Sequence, residues 1–146
     1  MYDRILVPTD GSSGTAKTLD HACSIASDND ATLYALYVVD RRLFLAAEDD
    51  TKDDVRASLE DEGEAALEEA ADRAREAGVT VETERREGIP HKTIVDYAAE
   101  IDADLVAMGT HGRTGRDRLA ALGSVTERVV ETADRPVLVV NIDDDE

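Results

Sequence analysis

Five short apolar runs, each separated from the next by a stretch of helical periodicity, constrain this chain more than any other feature. The runs are residues 4–7 (Arg-Ile-Leu-Val), 31–39, 79–86, 104–108 and 137–142. A strand, a helix and a second strand make a βαβ unit, and repeating that unit builds a parallel sheet covered by helices. Crossovers in such sheets are right-handed, which leaves few arrangements. The first and fourth runs are the most uniformly apolar and belong at the centre. The expected fold is therefore α/β: a single open five-stranded parallel sheet of order 3-2-1-4-5, Rossmann-like, with helices on both faces.

The connecting segments carry their own signals. Pro8 stops the first strand, and Ser12 or Ser13 can cap a helix through about Ser27 with Ala16, Leu19, Cys23 and Ala26 on its inner side. Residues 40–53 are acidic and read as irregular. A helix follows over 54–77, with Leu59, Ala66, Ala70, Ala74 and Ala77 as its buried stripe and nine acids and three arginines for a solvated face. Gly78 ends it as a C-cap. The third run alternates, as expected of a strand with one wet face or at a sheet edge. Gly88-Ile89-Pro90 turns into a helix through Glu100 with Ile94, Val95, Ala98 and Ile101 inward; His91 in its first turn reads as exposed. A short turn over 117–122 precedes a helix from Gly123 to about Ala133. Residues 1–142 are expected to form one domain, followed by an acidic tail, 143–146.

Charge bounds the partners. Acids outnumber bases 34 to 16, a net charge of −18, and only Lys17, Lys52 and Lys92 are lysines. Such a surface repels nucleic acid and anionic membranes, so neither is expected as a partner. It suits a chain kept hydrated in concentrated salt, and an origin in a halophile is the working expectation. No run approaches the ~18 apolar residues of a membrane span. The start of the chain has no basic, then apolar, leader pattern, so a cytoplasmic location is expected. The single cysteine, Cys23, reads as a small buried apolar residue.

In a sheet of this order the chain winds outward in both directions from strands one and four, and ligands bind beyond their carboxyl ends. The segments meeting there are Pro8-Thr9-Asp10-Gly11 and Gly109-Thr110-His111-Gly112. Gly109, Gly112 and Gly115 permit close backbone approach, and successive N–H groups there can form an anion nest. Gly123-Ser124-Val125-Thr126 opens the next helix, whose free N–H groups attract an anion, with Ser124 and Thr126 as hydroxyl donors. Residues 109–118 hold Arg113, Arg116 and Arg118 against Asp117 alone, a local net of +2 in a chain of −18. No Gly-Lys-Ser/Thr triplet and no G-x-G-x-x-G occurs, which excludes a P-loop and the dinucleotide fingerprint. A phosphoacceptor receiver domain would need an acid ending strand three and a lysine ending strand five, and neither is present. No catalytic residue and no metal ligand is assigned.

The runs 108–115, Gly123-Ser-Val-Thr-Glu-Arg-Val-Val130, Arg135-Pro-Val-Leu-Val-Val140 and Ile5-Leu-Val-Pro-Thr-Asp-Gly-Ser12 together resemble the universal stress protein family over essentially the whole chain. The resemblance implies the family's adenine-nucleotide α-hydrolase-like fold and binding of ATP, or of ADP or AMP, with Mg²⁺ as a possible companion. It implies that Pro8, Thr9 and Asp10 flank the adenosine and that Val38 or Val39 lines the base. Met108, Gly109, His111, Gly112, Arg113, Gly123, Ser124, Val125 and Thr126 would then hold ribose and phosphates. Ten residues lie between Gly112 and Gly123, one more than in the family's glycine motif, and the connecting turn is expected to absorb the extra one. The resemblance also implies a homodimer through strand 137–142. A nucleotide-dependent switch is the leading expectation; a slow ATPase or self-phosphorylating protein and a nucleotide-free dimeric adaptor are the alternatives.

Overall fold

The computed structural model describes residues 2–11, 14–110 and 123–142. Five strands, β1 (Arg4–Pro8), β2 (Thr32–Asp40), β3 (Thr80–Gly88), β4 (Leu105–Gly109) and β5 (Val137–Val140), form one sheet of order β3-β2-β1-β4-β5 with every pairing parallel. Five helices accompany them: α1 (Gly14–Asn29), α2 (Arg41–Leu45), α3 (Lys52–Glu76), α4 (Pro90–Glu100) and α5 (Ser124–Thr132).

Side chains alternate across a strand, so the sheet divides its apolar residues between two cores. Ile5 and Val7 of β1, Leu33, Ala35, Tyr37 and Val39 of β2, and Leu105 and Ala107 of β4 face α1 and α3. Leu6, Leu36, Val106 and Met108 face the other way, against Ile94, Tyr97 and Ala98 of α4 and Val129 of α5. Both faces are covered, which is why the central strands read as unbroken apolar runs. At the amino edge, the Asp104 carboxylate accepts the N–H groups of Asp3 and Arg4 at 2.7 and 3.0 Å. Those two bonds hold its carboxyl below the usual carboxylate range and tie β1 to the start of β4.

Three helices end alike. Asp30, Gly78 and Asp102 take φ of 56°, 74° and 55°. The next amides, Ala31, Val79 and Ala103, bond back to the carbonyls of Ala26, Ala74 and Ala98 at 2.8, 2.8 and 2.9 Å. These are Schellman closures.

Several expectations need correction. Segment 40–53 is not irregular throughout: Asp40 caps the five-residue α2 by accepting from the Arg42 N–H at 3.1 Å. Phe44 from that helix is buried, and the Arg56 guanidinium of α3 lies 5.2 Å above its ring. One docked aromatic makes the helix, too short a signal for periodicity to register. Ala77 is exposed, because it lies at the C-cap of α3 beyond the last buried turn, whereas Leu59, Ala66, Ala70 and Ala74 are buried. Tyr97 is buried in α4 beside Ile94 and Ala98, while Val95 and Ile101 are half-buried. His91 is half-buried rather than exposed, and Ala16 is half-buried at the start of α1. The caps proposed at Ser12 and Ser13, the turn over 117–122 and the tail 143–146 lie outside the described residues. Among the described residues no helix is long and apolar enough to cross a membrane.

Candidate functional site

The sheet opens where its winding reverses. β1 pairs with β4 only at Ile5↔Leu105 and Leu6↔Val106. Each strand nevertheless continues along its outer neighbour, β1 to Pro8↔Leu36 and β4 to Gly109↔Val140. Thr9 prolongs the first ladder, its N–H donating to the Leu36 carbonyl at 2.8 Å. Past Leu6 and Val106 the two central strands thus have no ladder between them, and a crevice forms at their carboxyl ends.

One wall is the turn after β1. Thr9 is buried, and its hydroxyl oxygen accepts the N–H of Gly11 at 3.2 Å. Gly11 has φ +81°, a conformation glycine adopts without strain. Asp10 is half-buried between them, its carboxylate accepting from the Thr15 hydroxyl of α1 at 3.4 Å.

The other wall hinges on Thr110. Its N–H donates to the Val140 carbonyl at 2.9 Å and its carbonyl accepts the N–H of Gly123 at 2.5 Å. The Ile142 N–H reaches its hydroxyl at 3.4 Å. Residues 110 and 123 are therefore joined directly, and the glycine-rich loop leaves and returns through one closed neck. At that neck Thr126, in the first turn of α5, is buried and donates its hydroxyl proton to the Gly109 carbonyl at 2.8 Å. Its proton is spent within the protein, whereas Ser124 is exposed. Gly109 also has a packing role: a Cβ there would come within 3.0 Å of Ile142 Cγ2 and 3.3 Å of Thr18 Oγ1.

Of the remaining expected residues, Val38 and Val39 fall on opposite faces. Val39 is sealed between the sheet and the α1/α3 layer, whereas Val38 is half-buried on the face carrying Met108 and Val125. Met108 is buried in the core beneath α4 and α5. Pro8, Asp10, Val38, Gly109, Gly123, Ser124 and Val125 all retain exposed surface. His111, Gly112 and Arg113, with the rest of the loop, lie outside the described residues. Sequence reasoning missed Thr110, Thr15 and Ile142. Thr110 stood in the glycine run and was passed over because only glycines and charges were weighed there.

A doubly wound sheet with its crevice between β1 and β4, bounded by a glycine-rich neck, defines a nucleotide-type α/β fold. The model of the universal stress protein family matches residues 1–141. The chain belongs to that family. It is 43% identical over 141 residues to the universal stress protein MJ0531 of Methanocaldococcus jannaschii, covering 96% of this chain and 82% of that one. Among solved structures, protein MJ0577, of the same organism, superposes with a TM-score of 0.90 at 30% identity over 99% of both chains. A universal stress protein crystallised in complex with cAMP superposes with a TM-score of 0.70 at 30% identity, covering 97% of this chain and 98% of that one.

Proposed function

We propose that residues 1–142 form one nucleotide-binding domain. It binds an adenine nucleotide, ATP in the first place, in the crevice between β1 and β4 and acts as a nucleotide-dependent switch in the cytoplasm. The observation that carries this reading is the parting of β1 from β4 beyond Leu6↔Val106 while Pro8 and Gly109 stay paired outward. Asp10 follows β1 and Ser124 opens α5 on the two sides of that parting, and both keep exposed surface. The related protein held in complex with cAMP supports adenine as the base.

Val38 offers the base an apolar contact, Asp10 an acceptor for ribose hydroxyls, and Ser124 with the first amides of α5 donors for phosphate. His111, Gly112 and Arg113 complete the phosphate side in this reading. Among the described residues no three carboxylate, imidazole or thiol side chains gather as a metal site. In this reading the role is nucleotide binding, and a slow ATPase or self-phosphorylating protein is the alternative, separated from it by turnover assays with and without Mg²⁺. The acting unit is a homodimer joined through residues 137–142.

The test is direct. Purified protein is denatured, any released small molecule is identified by mass spectrometry, and ATP is titrated by calorimetry into wild type and Gly112→Val. Recovered nucleotide, or micromolar binding lost in the variant, is the expected result. No nucleotide and no heat in low and high salt would replace the switch with a nucleotide-free adaptor.

A further inference from the structure

Ile142 packs against both walls of the crevice. It lies two residues beyond β5 and is half-buried. Leu138, Val140 and Ile142 follow one another at the two-residue spacing that keeps side chains on one side of a strand. Leu138 packs on the core beneath α1 and α3, and α1 rests on both β4 and β5. Ile142, farther along, therefore meets the first turn of α1. There it fills the space that a side chain on Gly14 would need: a Cβ on Gly14 would collide with Ile142 Cδ1 and stand 3.2 Å from its Cβ and Cγ1. The same isoleucine stands over Gly109 at the end of β4, where an added Cβ would lie 3.0 Å from Cγ2 and 3.4 Å from Cδ1. One side chain thus occupies the space left by two glycines, one on each wall.

Each glycine leads to a polar group at the crevice. Gly14 adjoins Thr15, whose hydroxyl donates to the Asp10 carboxylate at 3.4 Å. Thr18, one turn on, is 2% exposed, and its hydroxyl donates to the Gly14 carbonyl at 3.4 Å. On the other wall the Gly109 carbonyl accepts the Thr126 hydroxyl at 2.8 Å. Thr110 then holds the Gly123 N–H through its carbonyl and the Ile142 N–H, at 3.4 Å, through its hydroxyl. The β1–β4 ladder stops at Leu6↔Val106, so beyond it side-chain packing sets how far apart the walls stand. A close-packed contact fixes that separation, because a gap would cost the lining atoms their partners.

We propose that Ile142 is a positioning residue of the crevice. Its N–H holds Thr110, and its side chain holds Gly14 and Gly109 apart by a set amount, so that Asp10 and Ser124 face one ligand across a fixed span. It acts through the two glycines rather than by contact with the ligand. A site already held in its bound geometry need not be ordered on binding, and the affinity gains accordingly. The ligand is the adenine nucleotide of the reading above, and the affinity part of the inference rests on that reading.

The test uses the full chain as wild type, Ile142→Ala, Ile142→Val, Gly14→Ala and the double variant Gly14→Ala/Ile142→Ala. ATP is titrated by calorimetry, and amide hydrogen exchange is followed by NMR on the free proteins. Ile142→Ala is expected to weaken ATP about tenfold. It should also speed exchange at Thr18, Thr110 and Gly123 more than at Ala31, Val79 and Ala103, whose amides close helices at the far edge of the sheet. A loss of overall stability alone would speed both sets alike. Ile142→Val keeps Cγ2 and should bind ATP more tightly than Ile142→Ala; it carries the same comparison if the alanine variant does not fold. Gly14→Ala sets a methyl against Cδ1 and should weaken ATP, and adding Ile142→Ala should recover part of that loss, because the shortened side chain makes room. ATP bound equally by wild type and Ile142→Ala, or exchange raised equally at both sets of amides, would overturn the inference. A wild type that binds no ATP would overturn the nucleotide reading instead. Selective exchange in Ile142→Ala would then leave Ile142 as the brace between the walls, and uniform exchange would remove it.

Discussion

Gly63 stands inside α3, a helix of 25 residues, where alanine would normally be the better residue by ~1 kcal/mol. Here it is the contact itself: a Cβ at this position would lie 2.5 Å from Tyr37 Cδ2, 2.8 Å from Cε2 and 3.0 Å from Cγ. The ring belongs to β2 and is 3% exposed, so it has no free space into which to swing. Overpacking of this kind costs ~1–3 kcal/mol, which exceeds the gain in helix propensity. Gly63→Ala should lower stability by roughly 1 kcal/mol, read as a smaller urea midpoint with unchanged slope; an increase would show that α3 can shift off the sheet. The same logic of contact over type applies at the crevice. Thr126 and Ser124 both carry hydroxyls, but only Thr126 reaches the Gly109 carbonyl, so one acts as a clasp on the neck and the other faces solvent.

Among whole elements, the two edge strands are the instructive pair. β3 carries Glu82, Glu84, Arg85, Arg86 and Glu87 along its nine residues, and Arg85 and Arg86 pair with carboxylates on α3 and α4. Charges on an edge discourage a further strand from adding. β5 has no such protection: it is Val137-Leu138-Val139-Val140, paired on one side by β4, with its first three residues half-buried. An apolar edge of this kind is normally covered. Replacing Val139 with lysine sets a charge into that edge and should convert a dimer to monomer, with sedimentation velocity as the readout. A dimer unchanged by Val139→Lys would place the interface elsewhere. β5 also meets the crevice through Thr110, which bonds to Val140 at one end and to Gly123 at the other.

For the molecule as a whole, the net charge of −18 acts on every element at once. Exposed ion pairs such as Lys52–Asp49 and Arg75–Asp72 offset little of it. Self-repulsion of this kind is screened over ~10 Å at 0.1 M salt and over ~3 Å at 1 M. The thermal midpoint should therefore climb between dilute buffer and molar potassium chloride. A gain of ~1 kcal/mol moves the midpoint by roughly 3 °C at this chain length. A midpoint independent of salt would mean that repulsion is not what limits stability, and would remove the reason for expecting a halophilic origin. Between them, apolar runs, helix stripes and glycines were enough to give the sheet order, the two helical layers and the place of the crevice. Those features follow from periodicity and chain direction, which are local and additive along the sequence. Two other features came only from tertiary packing: the docking of Phe44 that makes α2 and the clasp of Thr126 on Gly109. Each depends on residues distant in sequence meeting at particular distances, and such meetings exist only once the sheet has fixed where every helix begins.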